Sequence, residues 1–308
     1  MCHTNSYTKS MSFSHLLLAL IANCAWGFNF IAGKAGTLAF GPLFFTSIRF
    51  FFLLLLMLPW LRPAPGHMKP LLKVASLLGI IHFGMMFIGL NAGGNIASIA
   101  ITTQLYVPFS AILAALFLKE SITGIKILAI AIAFLGVVVI GFDPVVFNHV
   151  DAVLWVMGAA FAMAVATIMM RQFPHMGVFK LQAWIAAVAA PSLLVLSLIF
   201  ESGHRQTLTE LQLIQFWSPL YSAIGASILG HGIVYYLLGR YPVSTVTPLL
   251  LLAPILASFF GIWWFGDQIG WRLVVGGFLT LVGILLVSVN IDRLSDRFKR
   301  VALRQSTR

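Results

Sequence analysis

Apolar runs of about 20 residues, the length an α-helix needs to cross about 30 Å of hydrocarbon, follow one another along nearly all of this 308-residue chain. That recurrence makes lipid the solvent. Hydrophobic residues supply 60% of the sequence and charged residues 9%, whereas an ordinary soluble domain carries about 25% charged residues, and no soluble core could absorb the difference. The expected fold is an all-α membrane protein. Bounded by Gly, Pro, Asn and charge, the runs resolve into ten candidate spans near residues 15–35, 42–61, 71–90, 97–118, 124–142, 151–170, 179–200, 216–239, 244–265 and 271–291. Short connections make neighbouring spans mostly antiparallel, and the longest connection runs around 201–215. Residues 15–35 form too long a run for a secretory signal, lack a small-residue cleavage site and lead into further spans, so they are read as the first helix.

A formal net charge of +11 raises the question of nucleic acid, but the basic residues sit in the gaps between apolar runs and form no basic face. Membrane orientation accounts for them. Cytoplasmic loops are enriched in Lys and Arg, and one side of the alternating chain collects Lys9, Arg62, Lys69, Lys73, Lys119, Lys126, Arg171, Lys180, Arg240 and six tail residues from Arg293 to Arg308. The other side has Lys34, Arg205 and Arg272, so the split is fifteen to three, with Arg49 inside the second span completing nineteen. Both termini are predicted on the cytoplasmic face of an inner membrane. The tail's basic residues would then meet anionic headgroups. Cys2 and Cys24 have a spacing that suits neither a metal site nor a disulfide framework.

The two halves repeat. Ser98, Pro108, Glu120 and Gly136 recur as Ser244, Pro254, Asp267 and Gly283. The Ser-to-Pro interval is ten residues in both and the acid-to-Gly interval sixteen in both, while the Pro-to-acid interval differs by one. Five spans per half is an odd number, so the second copy enters the membrane from the opposite side. The predicted layout is an N-terminal segment over 1–14, a five-helix repeat over 15–142, an inverted five-helix repeat over 151–291 and a basic tail over 292–308. Inverted repeats of this kind place substrate near the bilayer midplane between the copies.

The first span reads Trp26, Gly27, Phe28, Asn29, Phe30, and the second carries the pair Arg49 and Phe50. The fourth has Pro108 and ends at Glu120; the eighth reads Gly-His-Gly-Ile-Val-Tyr-Tyr-Leu-Leu-Gly-Arg-Tyr from Gly230, followed by Thr-Pro-Leu and Ala-Pro. Over essentially the whole chain this resembles the EamA type of the drug/metabolite transporter superfamily, nearest the branch that exports cysteine and O-acetylserine. The resemblance implies a secondary transporter that exports small amino acids or amino-acid metabolites, zwitterionic or neutral, by alternating access and needs no cofactor; export of other small metabolites or drugs on the same fold is the alternative. By the repeat, Met163 stands where Trp26 stands and Thr167 where Asn29 stands, and the first acidic corner reads Lys119-Glu120 where the family usually has Gly-Glu.

Ionisable groups inside a membrane are costly, so each is a functional candidate. All eight acidic residues fall in loops, at helix corners or in the tail, which leaves no carboxylate relay within the spans. His82 and His231 occupy equivalent repeat positions if the first half has three extra residues in the following loop. With an unperturbed pKa of about 6.5, histidine can titrate or hydrogen-bond to a substrate carboxylate; it can equally pin two helices together. Arg49 begins about 10 Å below the outer surface, counted from Pro42 at about 1.5 Å per residue. It must face protein or water, either attracting an anionic group or capping carbonyls. Asn29 and Gln104 offer donors and acceptors without charge, as a zwitterion requires, or tie helices together. Trp26, Tyr106 and Tyr235 would wall a cavity.

Pro108, Pro191, Pro248 and Pro254 interrupt helical hydrogen bonding as hinges or static kinks. Gly79, Gly84, Gly230 and Gly232 are read as close-packing positions in the third and eighth spans. Trp263, Trp264 and Trp271 are read as interface anchors. An intramembrane enzyme would need a nucleophile-base pair or a metal cluster within the spans, and neither a catalytic nor a metal constellation is visible. A receptor or assembly factor would not call for two inverted copies. A homodimer is one assembly open to such a chain.

Overall fold

The computed structural model describes residues 11–119, 123–170, 177–205, 209, 212–238, 240–241 and 246–288. Glu120, Ser244, most of the N-terminal segment and the basic tail lie outside them. Among the described residues all regular structure is helical. Eight helices are long and apolar enough to cross a membrane: α1 (Phe13–Phe40), α2 (Pro42–Trp60), α3 (Met68–Ala92), α4 (Ile96–Leu118), α5 (Gly124–Gly141), α6 (Val150–Met170), α7 (Val178–Phe200) and α8 (Leu213–Leu238). Two shorter apolar helices follow, α9 (Leu252–Phe265) and α10 (Trp271–Val287).

Two elements depart from the expected runs. Helix α1 continues to Phe40 because Gly33 and Gly36 are not its stops. They are close-packing sites instead, where a Cβ would meet Leu90 Cδ2 at 2.9 Å and Ser218 Oγ at 2.8 Å. The stop is Gly41, whose φ of 82° suits glycine alone, and Pro42 then opens α2 where its missing N–H is not needed. The ninth run is the second departure. Its α-helical part starts only at Leu252, after a 3-10 turn over Thr247–Leu251.

Two antiparallel pairs join the halves. Helix α2 lies along α7 and is tied to it at both ends. The Glu201 carboxylate beyond α7 accepts from Leu43 N–H at 2.7 Å and Phe44 N–H at 3.0 Å, supplying two of the orphan donors of the first turn with an acceptor. At the other end Lys180 Nζ donates to Pro63 O at 2.8 Å and Trp184 Nε1 to Arg62 O at 3.0 Å. Helix α5 lies along α10 through small residues. A Cβ at Gly276 would meet Ile140 Cγ1 at 2.8 Å, and one at Gly283 would meet Ala133 N at 2.6 Å and Ala129 O at 2.7 Å. Numbers rising along one helix as they fall along the other make the pair antiparallel.

Helices near the centre are irregular at matching places. In α4 the helix breaks at Gln104–Leu105. Pro108 has no N–H for the Gln104 carbonyl four residues back, which accepts instead from Val107 N–H at 3.1 Å. In the second half the 3-10 turn ends three residues before Pro254. Helix α3 is π-helical over Leu77–His82 and α8 over Ser222–Gly230, a widened register that is rare and concentrates at functional sites. One end of the molecule is tied across the halves: Asp267 Oδ2 accepts from Ile96 N–H at 2.8 Å, and Asn95 Nδ2 donates to Gln268 O at 2.7 Å. Burial pushes the Asp267 carboxyl above its ordinary value, opposed by the Ile96 N–H and the Lys34 charge.

Candidate functional site

The irregular segments of α3, α4 and α8 and the turn into α9 converge with α1, α2 and α6 on one cavity of about 180 Å³. Trp26, Asn29, Arg49 and Gln104 lie near the mid-length of their helices, while Leu90 lies near the end of α3 and Ala253 and Pro254 at the start of α9. Pockets that hold drug-sized ligands measure about 300–1,000 Å³, and this space is smaller than that range.

Trp26 and Asn29 stand three apart on α1 and therefore share a face. Trp26 Nε1 donates to Ala226 O at 3.1 Å, and its ring meets the His231 ring edge-on at 5.2 Å between centroids. Glycine at 230 is required for this, since a Cβ there would run into Trp26 Nε1. The Asn29 Oδ1 is buried without a hydrogen-bond partner.

His82 ends the π-helical stretch of α3, and His231 directly follows that of α8. Each has Nδ1 on a backbone carbonyl, His82 on Ala159 O at 2.8 Å and His231 on Ala226 O at 2.9 Å. A carbonyl only accepts, so Nδ1 donates in both and the tautomer of each neutral ring is set. His82 thereby links α3 to α6, while His231 bonds within its own helix.

Arg49 is 1% exposed. Its Nη2 donates to Ser227 Oγ at 3.1 Å, and its Cζ lies 5.0, 4.7 and 5.2 Å from the ring centres of Phe50, Phe83 and Phe87. Cation–π attraction from such faces strengthens when water is excluded. Nε and Nη1 have no hydrogen-bond partner.

Of the seven residues expected to meet substrate, Trp26, Asn29, His82, Gln104, Tyr106 and His231 line the cavity, and Arg49, Met163 and Pro254 join them. Nothing is described of the Tyr235 side chain. Pro108 is buried in α4 behind the wall, and Asp267 lies at the α9–α10 corner. Thr167 Oγ1 turns back to Met163 O at 2.8 Å. Gly79 packs tightly on α7, with Ala189 Cβ 2.7 Å from its notional Cβ, but Gly84 has only ordinary contacts and Gly232 none within 4 Å. The tight-packing expectation for Gly84 and Gly232 is therefore corrected. Sequence reasoning missed Phe83, Phe87 and Ser227; the Phe83-x-x-x-Phe87 spacing after His82, which puts both rings on one helical face, was the available signal. Among the described residues no group of three or more His, Cys, Asp or Glu could hold a metal ion.

Fold and site together define a multi-pass helical membrane protein with a central cavity whose largely apolar wall carries a few polar side chains. The EamA-like transporter family matches residues 13–142 and again 151–289. The chain is 27% identical over 279 residues to a "Probable amino-acid metabolite efflux pump" of Salmonella typhimurium, covering 87% of this chain and 93% of that protein. It is 28% identical over 249 residues to the protein of the same description in Escherichia coli, covering 78% and 83%. A solved crystal structure shares the fold with a TM-score of 0.60 at 16% identity, covering 92% of this chain and 99% of that one. The protein belongs to the EamA-like transporter family. Its members are transporters, not enzymes.

Proposed function

We propose that this protein is a secondary transporter of the inner membrane that exports small amino acids or amino-acid metabolites by alternating access, with the central cavity as substrate chamber. In this reading ten spans form two five-helix repeats inserted in opposite senses, and both termini are cytoplasmic. The observation that carries it is the pairing of His82 with His231. Each sits at the C-terminal edge of a π-helical stretch, in the third and eighth helices, and both face one cavity. The breaks ahead of Pro108 and Pro254 and the antiparallel pairs α2 with α7 and α5 with α10 match two halves related by inversion. Such halves supply two mouths to one chamber when they rock. The Salmonella typhimurium and Escherichia coli relatives, each described as a probable amino-acid metabolite efflux pump, support the same substrate class.

The test is counterflow in proteoliposomes. Vesicles loaded with an unlabelled small amino acid are expected to accumulate the labelled one transiently, above protein-free vesicles. Flux equal to empty vesicles across the twenty amino acids and their O-acetyl and thiol derivatives would remove the substrate class. Saturable binding without counterflow would favour a receptor.

A further inference from the structure

We propose that Arg49 is the carboxylate anchor of the chamber and Asn29 the acceptor for the substrate amine, so that the preferred cargo is a small α-amino acid with both groups free. This rests on the chamber being the substrate site. A guanidinium carries five N–H donors in a planar fork shaped to hold a carboxylate through two of them. In Arg49 one terminal nitrogen is spent on Ser227 Oγ, while Nε and Nη1 are buried and unpaired. Ser227 takes one of the two N–H bonds of Nη2, and the other stands beside Nε or Nη1; either pair is an edge of the fork that holds a carboxylate through two hydrogen bonds.

A purely structural arginine would show the opposite pattern, with its donors on backbone carbonyls or a neighbouring acid. The described acids do not supply one: Asp143, Asp151, Glu201 and Asp267 all lie at or near helix ends, and none lines the cavity. The three phenylalanine faces stabilise the charge but leave its in-plane donors open. Asn29 Oδ1, also buried on the same cavity without a donor, completes the complement of a zwitterion. One fixed cation and no carboxylate among the described lining residues also disfavours cationic drugs, by like-charge repulsion in a desolvated space.

Two measurements test this. The thermal midpoint of purified wild-type protein is compared across the twenty L-amino acids, each beside its C-terminal amide and its decarboxylated amine. At least one acid is expected to raise the midpoint, with its amide and amine leaving it unchanged, because a ligand that binds only the native state stabilises it. In Arg49→Gln the shift is expected to vanish and counterflow to fall about ten- to hundredfold, the range for losing a charged hydrogen bond. The midpoint of the ligand-free variant should hold or rise, since a buried charge without an acidic counter-ion has been removed and Gln still reaches for Ser227. An amide or amine that stabilises as well as its acid would overturn the anchor while leaving the chamber in place. So would an Arg49→Gln protein with a lowered midpoint but intact ligand shift. No response to any acid, amide or amine, with no counterflow, would remove the substrate reading and the anchor together.

Discussion

Leucine in place of Gly136 is expected to remove most folded protein from the membrane. A Cβ at this position would run into Thr280 Oγ1 and meet Gly276 O and Thr280 N at 2.5 Å. Two of those three atoms belong to backbone and have no rotamer into which to retreat. Overpacking a tight core costs about 1–3 kcal/mol and occasionally more, and a leucine between two helix backbones falls at the high end. Lipid supplies no hydrophobic drive to compensate, because transmembrane helices associate through close packing and hydrogen bonds. Gly141, on the same helix, has nothing within 4 Å of its notional Cβ. Size-exclusion profiles of tagged protein should therefore show Gly136→Leu depleted or aggregated and Gly141→Leu like wild type. Equal profiles for the two would mean that α5 and α10 are not a close pair.

Replacing either histidine by alanine is expected to cut counterflow about tenfold or more at equal protein, the consequence of losing a hydrogen bond worth about 1.5–3 kcal/mol to a charged substrate group. The two variants should differ in stability. His82→Ala also removes an interhelical bond to Ala159 O, of the kind that averages about 0.6 kcal/mol in membranes. His231→Ala loses a bond within its own helix and uncovers one edge of Trp26. Flux per folded molecule and thermal midpoint together separate the roles. Normal specific activity in both variants, with reduced folded protein, would assign the pair to packing.

The spans were legible because hydropathy and bilayer thickness act on every residue of a helix at once. Where boundaries slipped, the cause was local. The first span runs on past residue 35, where Gly33 and Gly36 serve contact in α1, and Gly41 stops the helix through a positive φ that composition does not reveal. The histidine pair was legible as a register coincidence between halves, yet the π-helical stretches before each ring were not, since apolar runs such as Leu77–Ile81 carry no mark of i-to-i+5 bonding. Arg49 shows why the chamber was only half visible. Its depth followed from counting residues, but its surroundings come from Phe83, Phe87 and Ser227 on two distant helices, and its two open donors exist only in three dimensions. The Trp26 contact with α8 is of the same kind, hidden until Gly230 is seen beneath the indole.

The central claim is that one mid-depth chamber opens in turn to the two faces of the membrane. Gln104 lines that chamber at the break in α4, so a Gln104→Cys protein also carrying Cys2→Ser and Cys24→Ser places a single thiol at the required depth. A membrane-impermeant thiol reagent applied separately to right-side-out and inverted vesicles should label it from either face, with the balance shifting when a transported amino acid is added. Labelling from one face alone, unchanged by every amino acid that moves in counterflow, would contradict the account.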